Sequence, residues 1–351
     1  MVDAALGRRR LVAQRLITAS HGSAAAVVAD AGAMQGQDLP GVMASIALRL
    51  GHHDTDAVIG AFNDGTVVRG YPMRGTIFAV AAADLAWMTE LCSGRISTAR
   101  RRAQLGITDE VEAIARGTFE SEVTQRGIGR ADLLQAWQRA GIDTGGGRGY
   151  HLILGLMLAG HACYGAWNGT DQNLMPAGEW LPARSGIAGR FNGDLVAAAA
   201  ELLRRYLWFR GPATLRDFAW WTKLPHSMIR PAFELIADDV AGEAGSYHRP
   251  GLDTDGLPAR RPRLLPAFDE FVLGYPDRGF AVPGEHRDRL IPGNNGVFQP
   301  AVIVGGTCRG LWRRGGRPGK RSLVLEAFGD IGPRHRAALE HRFAEFPFVT
   351  A

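Results

Sequence analysis

Residues 54–80 read DTDAVIGAFNDGTVVRGYPMRGTIFAV, and the change of period inside this stretch decides the fold class. Asp54 is placed to accept from the free amides at the start of a helix that runs to Phe62. Val67 to Gly70 and Thr76 to Val80 then alternate as strands do, around Tyr71-Pro72-Met73-Arg74-Gly75. Upstream, Arg9 to Thr18 and Ala24 to Ala33 have helical spacing, and Pro40 opens another helix, to Leu50, from a first-turn position. Helices followed by a two-stranded hairpin are the plan of the winged helix, a helix-turn-helix variant that docks on duplex DNA.

The same order recurs downstream. Helices are expected over Asp109–Gln125, Arg130–Ala140 and Tyr150–Ala159, with strands at His161–Trp167 and Asn173–Met175. A third copy has a long helix, Asp194–Phe209, a helix-turn-helix over Thr214–Trp221 and Pro225–Ile236 with Thr214 as N-cap, and strands within Ala241–Tyr247. From Arg261 prolines and glycines become frequent, with β-rich runs at Val297–Val304, Gly310–Arg314 and Ser322–Glu326 and a closing helix at Arg334–Phe343. The expected fold is α+β: three tandem winged-helix units, residues 1–105, 106–185 and 186–260, then a β-rich module, 261–351, in a C shape around DNA. At 351 residues the chain is too long for one undivided core.

The formal charge is +5, and only Lys223 and Lys320 are lysines, so the positive charge is nearly all arginine. Arginine suits phosphate and base contacts. A GC-rich genome enriches arginine, alanine and glycine together, so composition permits DNA binding without establishing it. No apolar run approaches the ~20 residues of a membrane span. Arg15 and His21 interrupt the segment after the basic N-terminus, so no secretory leader is expected. Cys92, Cys163 and Cys308 are too few and too dispersed for a disulfide framework or a thiolate metal site, which favours a reducing cytoplasm.

Gln35-Gly36-Gln37-Asp38 falls between two helices. Residues two apart share a face only in an extended segment, so here both carboxamides can converge on one point, and Gly36 lets the backbone approach a ligand. Two exposed turn residues would have the same sequence. Asp38 is placed either to act as a base or, more simply, to cap the Pro40 helix.

Taken together, Gln35-Gly36-Gln37, the hairpin Met73-Arg74-Gly75-Thr76, Gly211-Pro212-Ala213-Thr214, Asp217-Phe218-Ala219-Trp220-Trp221, Leu265-Pro266-Ala267-Phe268-Asp269-Glu270, Gly274-Tyr275-Pro276-Asp277-Arg278, Asn295-Gly296-Val297-Phe298 and Trp312-Arg313-Arg314 resemble the AlkZ-like winged-helix DNA glycosylases, the family of YcaQ and the azinomycin-resistance enzyme. The resemblance runs from about residue 9 to 330. It departs at Gly36, where the family has a hydrophobic residue, and at Phe78, where it usually has histidine.

The resemblance implies a monofunctional glycosylase acting on N-alkylated purines in double-stranded DNA, bulky or crosslinked N7-guanine adducts of a natural genotoxin among them. It implies Gln35 and Gln37 as catalytic, no metal or cofactor, and a cytoplasmic, nucleoid-associated monomer. Alkylation at N7 makes guanine a cationic leaving group, so little acid catalysis is needed. A carboxamide cannot act as a strong base, but it both accepts and donates hydrogen bonds to a water. Arg49, Arg69, Arg74, Thr76, Arg278, Asn295, Arg313 and Arg314 are the candidate DNA contacts, with Asn295-Gly296 a type I′ hairpin signal or a plain surface turn.

A DNA-binding regulator without catalysis is the competing reading. His52-His53 lack partners at zinc spacing. Gly145 to Gly149 has neither the lysine nor the preceding strand of a phosphate loop. Trp208, Trp220 and Trp221 have the spacing of core residues.

Overall fold

The computed structural model describes residues 2–96, 98–258, 260–317 and 319–349. The first region carries α1 (Ala4–Ala13), α2 (Ala24–Ala31), the two-residue strand β1 (Met34–Gln35), α3 (Leu39–Ala47), α4 (Thr55–Asn63), β2 (Val67–Met73), β3 (Thr76–Ala81), α5 (Ala82–Cys92) and α6 (Ala99–Gln104). The second carries α7 (Asp109–Glu122), α8 (Arg130–Arg139), α9 (Arg148–Leu158), β4 (Ala162–Trp167) and β5 (Gln172–Pro176), with short helices α10 (Ala177–Trp180) and α11 (Ile187–Phe191) after them. The third carries α12 (Leu195–Arg210), α13 (Leu215–Thr222), α14 (His226–Glu234) and the hairpin β6 (Ala241–Glu243) and β7 (Ser246–His248). The last carries β8 (Arg263–Leu265), α15 (Glu270–Leu273), α16 (Arg287–Leu290), β9 (Ala301–Val304), β10 (Thr307–Gly315), β11 (Ser322–Ala327) and α17 (Pro333–Ala344).

The order of helices then hairpin thus recurs three times before an antiparallel sheet β11-β10-β9-β8, as the α+β expectation holds. Local chemistry explains the helix starts. Asp38, Asp54, Thr108 and Asp194 each accept a backbone N–H of the first turn, and Thr214 and Asp217 close a reciprocal capping box.

The first two hairpins are not separate wings. β2 pairs with β4 through Arg69 and Tyr164, giving one five-stranded sheet ordered β1-β3-β2-β4-β5. Val68, Phe78 and Val80 of the first hairpin share a core with Leu203, Tyr206 and Trp221 of α12 and α13. Two buried ion pairs tie the last region to the helices. Arg49 meets both Asp269 oxygens, at 2.9 and 3.1 Å, and Arg210 meets Glu270 Oε2 at 2.7 Å. Among the described residues no helix is long and apolar enough to cross a membrane.

Candidate active site

Gln35 and Gln37 do not stand in a free loop. Gln35 lies on the edge strand β1, opposite Phe78 of β3, and Met34 lies opposite Ala79. The Gly36 amide donates to Ile77 O at 2.8 Å, and Gly36 O accepts from Arg69 Nη1 at 2.6 Å. From the other side the Gln35 amide donates to Glu270 Oε1 at 2.7 Å. The segment is therefore held by β3, by β2 and by the last region of the chain. A Cβ on Gly36 would lie 3.0 Å from Ala79 N, 3.1 Å from Arg69 Cδ and 3.2 Å from Phe78 C, so close approach to β3 accounts for the glycine.

The two carboxamides do converge. Gln35 Oε1 accepts the Gln37 amide at 2.8 Å, and Gln35 Nε2 donates to Gln37 Oε1 at 3.4 Å. Gln35 is buried while Gln37 is exposed. Both line a pocket of about 360 Å³ together with Arg74, Thr76, Arg278 and Asn295, so six of the expected site residues meet in one place. Phe268, Leu273, Ile291, Val297 and Phe298 complete its apolar wall. Asp38 points its carboxylate at the Gly41 amide as the N-cap of α3, and burial holds its pKa above the ordinary value.

Arg74 and Gly75, with φ of 60° and 67°, form the two-residue turn between β2 and β3, closed by Met73 opposite Thr76. Both central residues being left-handed is the type I′ arrangement that matches strand twist.

A family model described as DNA glycosylase AlkZ-like matches residues 28–346. The chain belongs to the AlkZ-like DNA glycosylase family. Its fold is similar to that of the Streptomyces sahachiroi DNA glycosylase AlkZ, with a TM-score of 0.73 at 19% identity over 99% of this chain and 96% of that one. No curated protein sequence matches significantly.

In this AlkZ-like chain two of the expected DNA contacts, Arg49 and Arg69, are buried. Arg49 has no exposed surface: besides Asp269 it donates to Gln14 O, Gln14 Oε1 and Ser45 O, so it cannot reach DNA. Arg69 is buried under the glutamine segment, bonded to Gly36 O and Gln172 Oε1, with Asp171 at 3.5 Å, so it braces the site rather than contacting DNA. Asn295 (φ −78°) and Gly296 (φ 81°) form no hairpin, because a type I′ turn needs both angles positive; they belong to an irregular rim, and β9 starts only at Ala301. Arg313 and Arg314 are exposed on β10 and do not line the pocket.

Phe78 is fully buried, edge-on to Trp221, so that position brings no titratable group to the site. Trp221 is core, as its spacing predicts, but Trp208 and Trp220 are only half-buried. Sequence reasoning missed Glu270 and Arg210, the pair behind Gln35. Two adjacent acids inside the apolar run Phe268 to Leu273 were the available signal.

Proposed function

We propose that this AlkZ-like protein is a monofunctional DNA glycosylase that hydrolyses the N-glycosidic bond of N-alkylated purines in duplex DNA, N7-guanine adducts included, with water positioned by Gln35 and Gln37. The observation that carries this reading is the carboxamide pair. Gln35, locked by Glu270 and the Gln37 amide, directs its Nε2 to Gln37 Oε1, and the exposed Gln37 side chain lies at the pocket.

A positively charged alkylpurine leaves readily, so the protein's task is to orient a water and favour the positive charge that develops on the sugar. Gln37 Oε1 is the acceptor for that water, and its own geometry is fixed by Gln35. The reaction needs neither a metal nor a cofactor, because nucleophile and leaving group are already competent. Carboxamides form no Schiff base, so the product is an abasic site without strand cleavage. The setting that fits is the cytoplasm, at the nucleoid, as a monomer.

The test is release of base from duplexes bearing N7-methylguanine or, separately, a bulky N7-guanine adduct. Abasic sites should form with the unsubstituted protein, and Gln37→Ala should slow their formation by on the order of 10²-fold. No release of either base while salt-sensitive duplex binding persists would leave a DNA-binding protein without this activity. Excision by Gln37→Ala at the unsubstituted rate would remove the glutamine from the mechanism.

A further inference from the structure

Trp220, half-buried on α13, has three cations over its indole: Arg74 Cζ at 4.6 Å, Lys223 Nζ at 5.5 Å and Arg278 Cζ at 5.8 Å from the ring centroid. Arg74 arrives from the β2–β3 turn and Arg278 from the segment after α15, and both line the glutamine pocket. Arg278 also lies 4.9 Å over Phe298.

Neither arginine has a carboxylate at ion-pair distance among the described residues. Arg74 Nη1 and Arg278 Nε are shut from solvent and find no hydrogen-bond partner there. Arg278 Nη1 reaches only Pro276 O, at 3.5 Å. Burial, followed by repulsion from Arg74 and Arg287, pushes the Arg278 guanidinium down to about 10, and burial lowers Arg74 in spite of Glu270.

A buried N–H left unpaired costs roughly 1–3 kcal/mol, and an uncompensated buried charge costs more. The indole face offsets only part of the repulsion between the cations above it. The arrangement is incomplete as it stands. What completes it must be an anion with acceptor oxygens, reachable from the pocket. A cationic alkylpurine is repelled by these groups, so the base is not the ligand.

We propose that Arg74 and Arg278, seated on Trp220, together clamp one backbone phosphate of the damaged strand beside the base that Gln37 faces. This inference rests on the glycosylase reading and deepens it. The clamped phosphate offsets one of the pair's two charges and supplies acceptor oxygens for Arg74 Nη1 and Arg278 Nε. Its role is to position the damaged strand at the pocket.

Binding to a duplex with a tetrahydrofuran abasic-site analogue reads the clamp without any excision, so its failure is separable from failure of the hydrolytic reading. A neutral methylphosphonate at one linkage next to the analogue should weaken binding on the order of tenfold. Arg74→Ala, Arg278→Ala and the double variant should each weaken binding to the natural backbone, and lose nothing further on that methylphosphonate duplex.

In the double variant the slope of log affinity against log salt should flatten by about 0.9, the value for one phosphate. Trp220→Phe should retain the methylphosphonate sensitivity and Trp220→Ala should lose it. Flattening by about 1.8 would put the arginines on two different phosphates and overturn the shared clamp. Unchanged methylphosphonate sensitivity in both arginine variants would remove the clamp altogether.

Discussion

The backbone amide of Gln37 donates to the Gln35 carboxamide oxygen, and the Gln35 carboxamide nitrogen faces Gln37 Oε1. The buried glutamine thereby orients the exposed one. Neither titrates, and this separates them from the adjoining carboxylate of Asp38, which caps α3 through the Gly41 amide. Excision of N7-methylguanine should therefore show no acid limb in its pH–rate profile. Asp38→Asn, which caps a helix as well as aspartate does, should excise at close to the unsubstituted rate. Were Asp38 the base, the rate would climb with pH through a pKa that burial has raised, and Asp38→Asn would lose on the order of 10²-fold.

At the scale of elements, the site depends on a strand of two residues. β1 has two ladder partners on β3, and its Gln35 amide is satisfied by Glu270 from α15. Glu270 is held in turn by Arg210, whose other donors reach Ala31 O and Ala33 O at 2.6 and 2.7 Å just before β1. Glu270→Ala leaves Arg210 buried and unpaired, a change expected to cost ~3–5 kcal/mol in urea unfolding. In the protein that stays folded, excision should slow while affinity for an abasic-analogue duplex is kept. A loss below ~1 kcal/mol would show that the pair is dispensable.

None of this was legible in the sequence. A strand of two residues has no period to read, and the partners of Asp269 and Glu270 lie 220 and 60 positions away. α5 escaped as well: Asp84, Trp87, Met88 and Thr89 are all buried, so it has no polar face to set a helical stripe. Among the elements that were legible, α4, α7 and α12 carry a polar N-cap. Arg49 and Arg69 read as DNA contacts because a sequence shows an arginine's charge and not its partners. Arg74, Arg278 and Asn295 come from turns and irregular segments and Thr76 from the first position of β3, and the pocket side of the fold collects them.

Across the whole molecule, consecutive acids divide the load. Glu270 anchors β1, and Asp269 joins the last region to α3 through Arg49 and Ser45. Burial alone would raise the Asp269 pKa. Arg49, Ser45 and the Phe271 amide outweigh burial and hold it below the ordinary carboxylate value. For an acid with a depressed folded pKa, the stabilisation is fully present above the unfolded pKa of about 3.9 and is lost as pH falls through the folded value. Urea unfolding of the unsubstituted protein should therefore hold steady from neutral pH to about 5 and weaken below about 4.

Asp269→Asn removes the charge at every pH and leaves Arg49 buried and uncompensated, so at pH 7 it should be less stable by ~3–5 kcal/mol. As the pH drops, the unsubstituted protein protonates Asp269 and comes to resemble the variant. The gap between them should begin to narrow as the pH falls below about 4, because the substitution mimics the protonated acid. A gap of constant size from pH 7 to pH 3 would mean that the Asp269 charge does not join these regions.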